Sequence, residues 1–437
     1  MEKAEEVLEL YQLDYSDLVL LSSRNENSPP VGEIERLQSI KEAVMENLGP
    51  NGPGLIAIKS VPGAANFRRS LLPLARKLAL LGNDDRKRIL KEHNLGSDVP
   101  LKNLDRIVSS FAMQLKYNEK LGEDDAVVEN HVQDTCKIND ESHLAFGNLG
   151  CEFKKLGFLM MDLGLCLARI CDQVIGGHEL EQSLLGCGTA KGRLIHYHST
   201  RDNLIIKEAA NRKGRANGKV QANGMMKVNH SALSKPARSQ NCDGDKSLFH
   251  NQNVRWQQWH YDYGIFTVLT DPMFMLPCDK QCLSPNRHTY LKIFHPAVNK
   301  IFVVKAAPES FIVQVGEAAD VLSKGILKAT LHCVSKPLEL EDLSRQTFVV
   351  FLLPAWDKTF SLADYPVESL NSVRRKNSNL FDKKYIGVEF EPQDSSDEIH
   401  SIIPPLLSRM RDGMTFAEFS RETTKQYYGG NGLQSKR

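Results

Sequence analysis

The chain has 437 residues, 41% hydrophobic and 25% charged, with 55 basic side chains nearly cancelled by 54 acidic ones. That is the profile of a globular protein with ample chain for a large core, not of a disordered or fibrous one. Near-zero net charge argues against a global nucleic-acid or membrane-surface binder, so neither nucleic acid nor membrane is expected as a partner.

The first residues, Met1-Glu-Lys-Ala-Glu-Glu6, lack the basic start and apolar stretch of a secretory signal. The most apolar long stretch, 156–170, is interrupted by Asp162 and Arg169 and falls short of the roughly 20 residues that a membrane span needs. Nine irregularly spaced cysteines make no disulfide framework and fit a reducing compartment. A cytoplasmic location is expected, with a nuclear one the weaker alternative. Cys278 and Cys282 with His288 give half a zinc site, but no second cysteine pair completes it, and free loop thiols are the simpler reading.

In chain order, Ile34, Leu37, Ile40, Val44 and Leu48 recur at helical spacing, and the glycines and prolines of residues 49–54 end that helix. Leu55-Ile-Ala-Ile58 has the length of a strand. Phe67, Leu71, Leu74, Leu78 and Leu81 mark a second amphipathic helix, and Asp84-Asp85 before Arg86-Lys-Arg88 begins a short third. From Glu141 to Ile175 a long apolar stripe runs at three and four spacing until Gly176-Gly177 stops it. Residues 1–180 are therefore expected as a helical N-terminal region with one strand packing on the core.

Beyond Gly186 the period shortens to strand-like runs: 193–198, 259–269, 290–294, 300–304, 310–315, 326–334 and 346–353. With no helices between them they favour an antiparallel sandwich or jelly roll over a parallel sheet, and residues 185–366 are read as this mainly β core. Residues 209–253 interrupt it with Asn, Gly, Lys, Arg and Ser, and 201–246 carries six more basic than acidic residues. That composition predicts a disordered basic insertion. Residues 367–437 read as a polar linker and a C-terminal helix from Thr415 to Tyr427.

His260-Tyr261-Asp262 sets an imidazole and a carboxylate two residues apart, on one face if the segment is a strand. With 13 histidines and 54 acids in the chain, about one or two such triplets arise by chance. The added weight comes from His332, in the apolar run 328–334. Two imidazoles and one carboxylate leave positions open opposite them, which suits non-haem Fe(II). Arg345 and Thr347 then share one face of the next strand, expected to run antiparallel to the histidine strand, and make a fork for the far carboxylate of a dicarboxylic acid. His196 and His198 are read as packing or supporting groups, and His288 and His295 as exposed. Trp259, Tyr263 and Phe351 are candidates for a substrate cavity or simple core.

Taken together, Trp259-His-Tyr-Asp-Tyr-Gly264, Phe311-Ile-Val-Gln-Val-Gly-Glu317 leading to Leu322-Ser-Lys-Gly325, Leu331-His332, and Arg345-X-Thr347 with Phe351 and Pro354 resemble the isopenicillin N synthase-like 2-oxoglutarate/Fe(II) oxygenases of the plant-type branch. The resemblance implies a double-stranded β-helix, or jelly roll, with a helical N-terminal region and C-terminal helix. It implies Fe(II) held by His260, Asp262 and His332, with 2-oxoglutarate bound by Arg345 and Thr347. The expected reaction is O2-dependent oxidation, by hydroxylation or desaturation, of a small organic substrate by a monomer, with release of succinate and CO2. Where the family carries Asn-X-Tyr, this chain is read as His196-Tyr197-His198. Two other readings stay open: a non-catalytic binding protein that keeps the fold, and an iron oxidase that does not use 2-oxoglutarate.

Overall fold

The computed structural model describes residues 6–23, 31–97, 99–120, 145–220, 255–337, 340, 342–363, 365–366, 403–404 and 406–428. In chain order its strands are β1 (Val7–Glu9), β2 (Gln12–Asp14), β3 (Leu55–Lys59), β4 (Gly96–Ser97), β5 (Val108–Lys116), β6 (Thr189–Tyr197), β7 (Arg255–His260), β8 (Phe266–Thr270), β9 (Met273–Met275), β10 (Gln281–Cys282), β11 (Leu291–His295), β12 (Lys300–Lys305), β13 (Phe311–Val315), β14 (His332–Ser335) and β15 (Ser344–Leu352). They form two sheets. The larger runs β2-β3-β13-β8-β15-β6-β5-β4 and the smaller β1-β12-β11-β14-β7. From β6 onward the chain shuttles between them: β6 in the large sheet, β7 in the small, β8 in the large, β11 and β12 in the small, β13 in the large, β14 in the small and β15 in the large.

The sheets share one apolar interior. Ala57, Ile195, Ile312 and Val349 of the large sheet pack in one cluster with Trp256, Ile293, Val304 and Val334 of the small one. The outer face of the large sheet is covered as well, because Phe348, Val350 and Leu352 join the helix Leu149–Ile175 and the N-terminal helices in the main core. A strand buried on both faces reads as a near-continuous apolar run, and β13 and the second half of β15, from Phe348 to Leu352, read so. The long helix comes close because it presents glycines to the sheet. A methyl on Gly164 would stand 2.0 Å from Leu352 Cδ1, and one on Gly157 would stand 2.4 Å from Leu115 Cδ1.

The N-terminal region differs from the sequence expectation in having five strands among its described residues, β1 to β5, rather than one. Four of them are beyond sequence pattern for physical reasons. β1, β2 and β4 are only two or three residues long, and β5 begins Val-Ser-Ser and holds Ala, Met and Gln where β-branched residues would signal a strand. They form by pairing: β1 lies parallel to β12 and β2 parallel to β3, while β5 pairs with β6 along its whole length. The expected strand over 259–269 is broken at His260 and resumes at Phe266, and only the end of 326–334 is strand. Of the basic insertion, residues up to Val220 continue the helix Thr200–Val220 instead of being irregular; residues 221–254 lie outside the described residues, as do residues 367–402 of the expected linker. The last helix, Phe416–Tyr428, follows a capping box in which Glu418 N–H donates to Thr415 Oγ1 (3.3 Å) and Thr415 N–H to Glu418 Oε2 (2.9 Å). No described helix is long and apolar enough to cross a membrane.

Candidate active site

His260 ends β7 and His332 begins β14, and the two are direct partners in the antiparallel register. Side chains opposite one another on such a pair project to the same side, and the imidazole centroids lie 4.3 Å apart. Asp262 stands just past the end of β7, where the chain leaves the sheet. Its Oδ1 lies 3.7 Å from His260 Nε2 and its Oδ2 3.8 Å from His332 Nε2. Each of the three residues offers one ligand atom, and these atoms all lie within 4.8 Å of one another; no other group of this kind occurs among the described residues. Cys278 and Cys282 are free thiols outside any such group.

Both rings are oriented by the backbone. His260 Nδ1 lies 2.8 Å from Gln258 O and His332 Nδ1 3.0 Å from Thr330 O. A carbonyl only accepts, so in each neutral ring Nδ1 carries the proton and Nε2 keeps its lone pair toward the carboxylate. Burial, reinforced by the neighbouring His332, pushes His260 down to about 4, so its ring is neutral at physiological pH. Burial opposes ionisation of Asp262, but the two imidazoles and hydrogen bonds from Thr267 (2.6 Å) and Gln314 (2.7 Å) outweigh it and hold the carboxyl below its ordinary range.

The turn that carries Asp262 is pinned from β13. Gly316 N–H donates to Ile265 O, Glu317 N–H to Asp262 O and Ala318 N–H to Gly264 O, at 2.8–3.0 Å. The approach requires glycine: a Cβ on Gly316 would stand 2.2 Å from Gly264 O and 3.1 Å from Asp262 O.

Arg345 and Thr347 reach the interior from the opposite sheet. This corrects one expectation, since β15 pairs with β6, β8 and β9, whereas β14 pairs with β7 and β11; the arginine strand and the histidine strand face each other and do not form a hairpin. Arg345 is 2% exposed. Its Nε donates to Thr289 O at 3.1 Å, its guanidinium lies 5.1 Å above the Tyr197 ring, and its buried Nη1 has no hydrogen-bond partner among the described residues. Burial lowers its pKa, partly offset by Tyr197 and Asp271. Thr347, also buried, has Oγ1 3.4 Å from Thr270 O.

Tyr197 is the residue that sequence reasoning passed over. It lies directly across from Arg345 in the β6–β15 register. Of the expected triplet His196-Tyr197-His198 it is thus the middle residue, Tyr197, that faces Arg345. Its hydroxyl donates to Gln257 Oε1 (3.0 Å), and Gln257 Nε2 lies 2.9 Å from His260 Nε2. A continuous path thus runs from the arginine to a histidine of the triad. Gln314 was missed too: its Nε2 is 2.7 Å from Asp262 Oδ2 and 3.1 Å from His332 Nε2. Period-two alternation on β13, which sets Gln314 on the face of Ile312, was the signal available for Gln314; Gln257 reaches His260 only through an irregularity in the β7–β14 register, against alternation.

Alternation turns His196 to the outer face, where Nδ1 meets Gln346 Nε2 (3.0 Å) and Nε2 lies 3.2 Å from Asp202. His198 Nε2 meets Ser109 Oγ at 2.8 Å. Neither belongs to the His260–Asp262–His332 group. His288, expected at the surface, is buried, and His295 is half-buried. Of the three aromatics weighed for a cavity, only Phe351 borders the interior between the sheets; Trp259 packs with Leu331 and Tyr427, and Tyr263 against the main core.

No protein-family model matches the chain, and no curated protein matches it in sequence. Solved structures do. A full-length Neurospora crassa protein, crystallised in complex with alpha-KG, shares 14% identity over 91% of this chain and 96% of its own, with a TM-score of 0.48. The dioxygenase for auxin oxidation of rice shares 16% over 84% and 96%, at 0.45. A putative 2OG-Fe(II) oxygenase family protein of Caulobacter crescentus shares 11% over 90% and 97%, at 0.44. Likenesses this distant lend the chain no activity of their own, and its chemistry has to be read from its side chains.

Proposed function

We propose that the chain is an Fe(II)- and 2-oxoglutarate-dependent oxygenase with a double-stranded β-helix core, oxidising a small organic molecule. The strand order β13-β8-β15-β6 facing β12-β11-β14-β7, with the chain shuttling between sheets, supports that fold. The carrying observation is one composite: two imidazoles and a carboxylate converge from one sheet, and a buried arginine with an unsatisfied Nη1 enters from the other.

The residues fit the groups they would hold. His260 and His332 present lone pairs, Asp262 is held ionised, and this N2O donor set leaves sites vacant for further ligands, as non-haem Fe(II) requires. Bound there, the metal supplies the oxidative chemistry with O2 and 2-oxoglutarate. Arg345 would meet the far carboxylate of 2-oxoglutarate through Nη1, with the Thr347 hydroxyl beside it, a charge-assisted contact that offsets the cost of burying the guanidinium. Tyr197 holds that guanidinium over its ring and, through Gln257, keeps it in register with His260. The apolar surround of Ile195, Val349 and Phe351 excludes water.

The test is anaerobic titration of the purified protein with Fe(II) and then 2-oxoglutarate, followed by succinate release in air. One Fe(II) per chain, bound in wild type and lost in His260→Ala and Asp262→Ala, together with succinate formation, is the expected result. A folded protein that takes up neither metal nor 2-oxoglutarate overturns the proposal.

A further inference from the structure

Arg409 is a fully buried charge that the proposed reaction leaves unused, with its side chain 0% exposed. It sits at the end of the short helix Leu406–Arg409, and each of its three guanidinium nitrogens donates: Nη1 and Nη2 to Glu317 Oε2 and Oε1 (2.6 and 2.5 Å), Nη1 also to Thr423 Oγ1 (3.1 Å), and Nε to Pro404 O (3.2 Å). The rings of Phe419 and Tyr427 flank the guanidinium. Glu317 is the residue whose backbone N–H donates to Asp262 O. A second tie runs from the same C-terminal unit, because the Tyr427 hydroxyl accepts from Tyr261 N–H at 3.4 Å.

Stability alone does not account for this arrangement. Met410, Met414, Phe416 and Phe419 already bury the C-terminal unit in the main core. A buried ion pair often adds no more stability than apolar residues of the same volume. What it does add is a fixed position for both partners. Here one tie ends on Tyr261 and the other on Glu317, whose own backbone N–H pins the next residue, Asp262.

We infer that the C-terminal helices are part of the metal centre: the Arg409–Glu317 pair and the Tyr427 hydroxyl act as positioning groups that hold the Tyr261–Asp262 backbone, and so the Asp262 carboxylate, at a fixed angle to the two imidazoles. The inference rests on reading His260, Asp262 and His332 as metal ligands. Outer partners of this kind set metal affinity by about 10–100-fold.

The experiment titrates full-length apo-protein with Co(II), reading affinity and coordination geometry from the visible d–d absorption, beside the thermal melt of the same apo sample. Wild type binds one Co(II), and Asp262→Ala abolishes it. The double variant Glu317→Leu/Arg409→Met removes the pair without stranding a buried charge. It is expected to melt near wild type and to bind Co(II) about tenfold or more weakly, with an altered spectrum. Tyr427→Phe, which keeps the ring, shifts both in the same direction by less. A folded double variant with wild-type affinity and spectrum overturns the inference alone, whereas a wild type that binds no Co(II) overturns the metal reading beneath it. Should the double variant fail to fold, Arg409→Lys, which keeps the charge and loses the fork, decides in the same titration, with unchanged affinity and spectrum overturning the inference.

Discussion

At the scale of single residues, Arg345 concentrates the argument for a dicarboxylate co-substrate. A guanidinium at 2% exposure with one nitrogen unsatisfied is costly unless a partner completes it. Lysine keeps the charge but not the planar fork, so Arg345→Lys separates electrostatics from geometry. A charge-assisted contact of this kind is worth about 1.5–3 kcal/mol. Arg345→Lys is therefore expected to raise the KM for 2-oxoglutarate roughly 10- to 100-fold in a succinate assay while leaving Fe(II) affinity as it was, since Arg345 touches none of the three proposed ligands. An unchanged KM would move the co-substrate elsewhere. The histidine triplet was legible because its chemistry is written in residue types. Tyr197, Gln257 and Gln314 were not, since a tyrosine or glutamine on a strand announces nothing until register puts it across from Arg345 or beside Asp262.

At the scale of elements, the site depends on how closely the end of β13 approaches the turn after β7. The contact is backbone to backbone at Gly316, Gly264 and Asp262, so no rotamer change can relieve a side chain placed there. Gly316→Ala is expected to destabilise the fold by about 1–3 kcal/mol, the range for overpacking, measured by urea unfolding, and to weaken metal binding more than that figure alone implies because the displaced segment carries Asp262. An alanine variant with wild-type stability and affinity would show that the turn gives way freely. The same scale explains the missed strands. β1 and β2 exist only because β12 and β3 offer free edges, and three-residue strands have no pattern of their own to detect.

At the scale of the whole molecule, the buried imidazoles tie stability to pH. Burial is the first cause in each case: it lowers His196 against the opposing pull of Asp202, it lowers His198 well below its usual value, and it takes His260 to about 4. In the unfolded chain these rings take a proton near pH 6.5. Between about 6.5 and 4 the unfolded state thus binds more protons than the folded one, and stability falls as pH falls through that window. A tenfold difference in proton affinity between the two states is worth about 1.4 kcal/mol, so the loss is on the order of 3 kcal/mol for His260. The metal-free protein is accordingly expected to show a lower urea midpoint at pH 5 than at pH 7. A flat profile would mean that these rings accept protons without disturbing the fold.

The amino-acid order by itself pointed to the candidate metal-ligating residues and to a mainly β second half of the chain. A His-X-Asp triplet, a distant histidine, an Arg-X-Thr pair and strand-length apolar runs are all local patterns, and local patterns survive in a linear string. Only the tertiary structure decided that the arginine faces the histidines from the opposite sheet, that Tyr197 lies across from it, and that a C-terminal arginine pairs with Glu317, the residue whose backbone N–H holds Asp262. Those depend on strand order and register, and both are set by contacts between residues far apart in the chain.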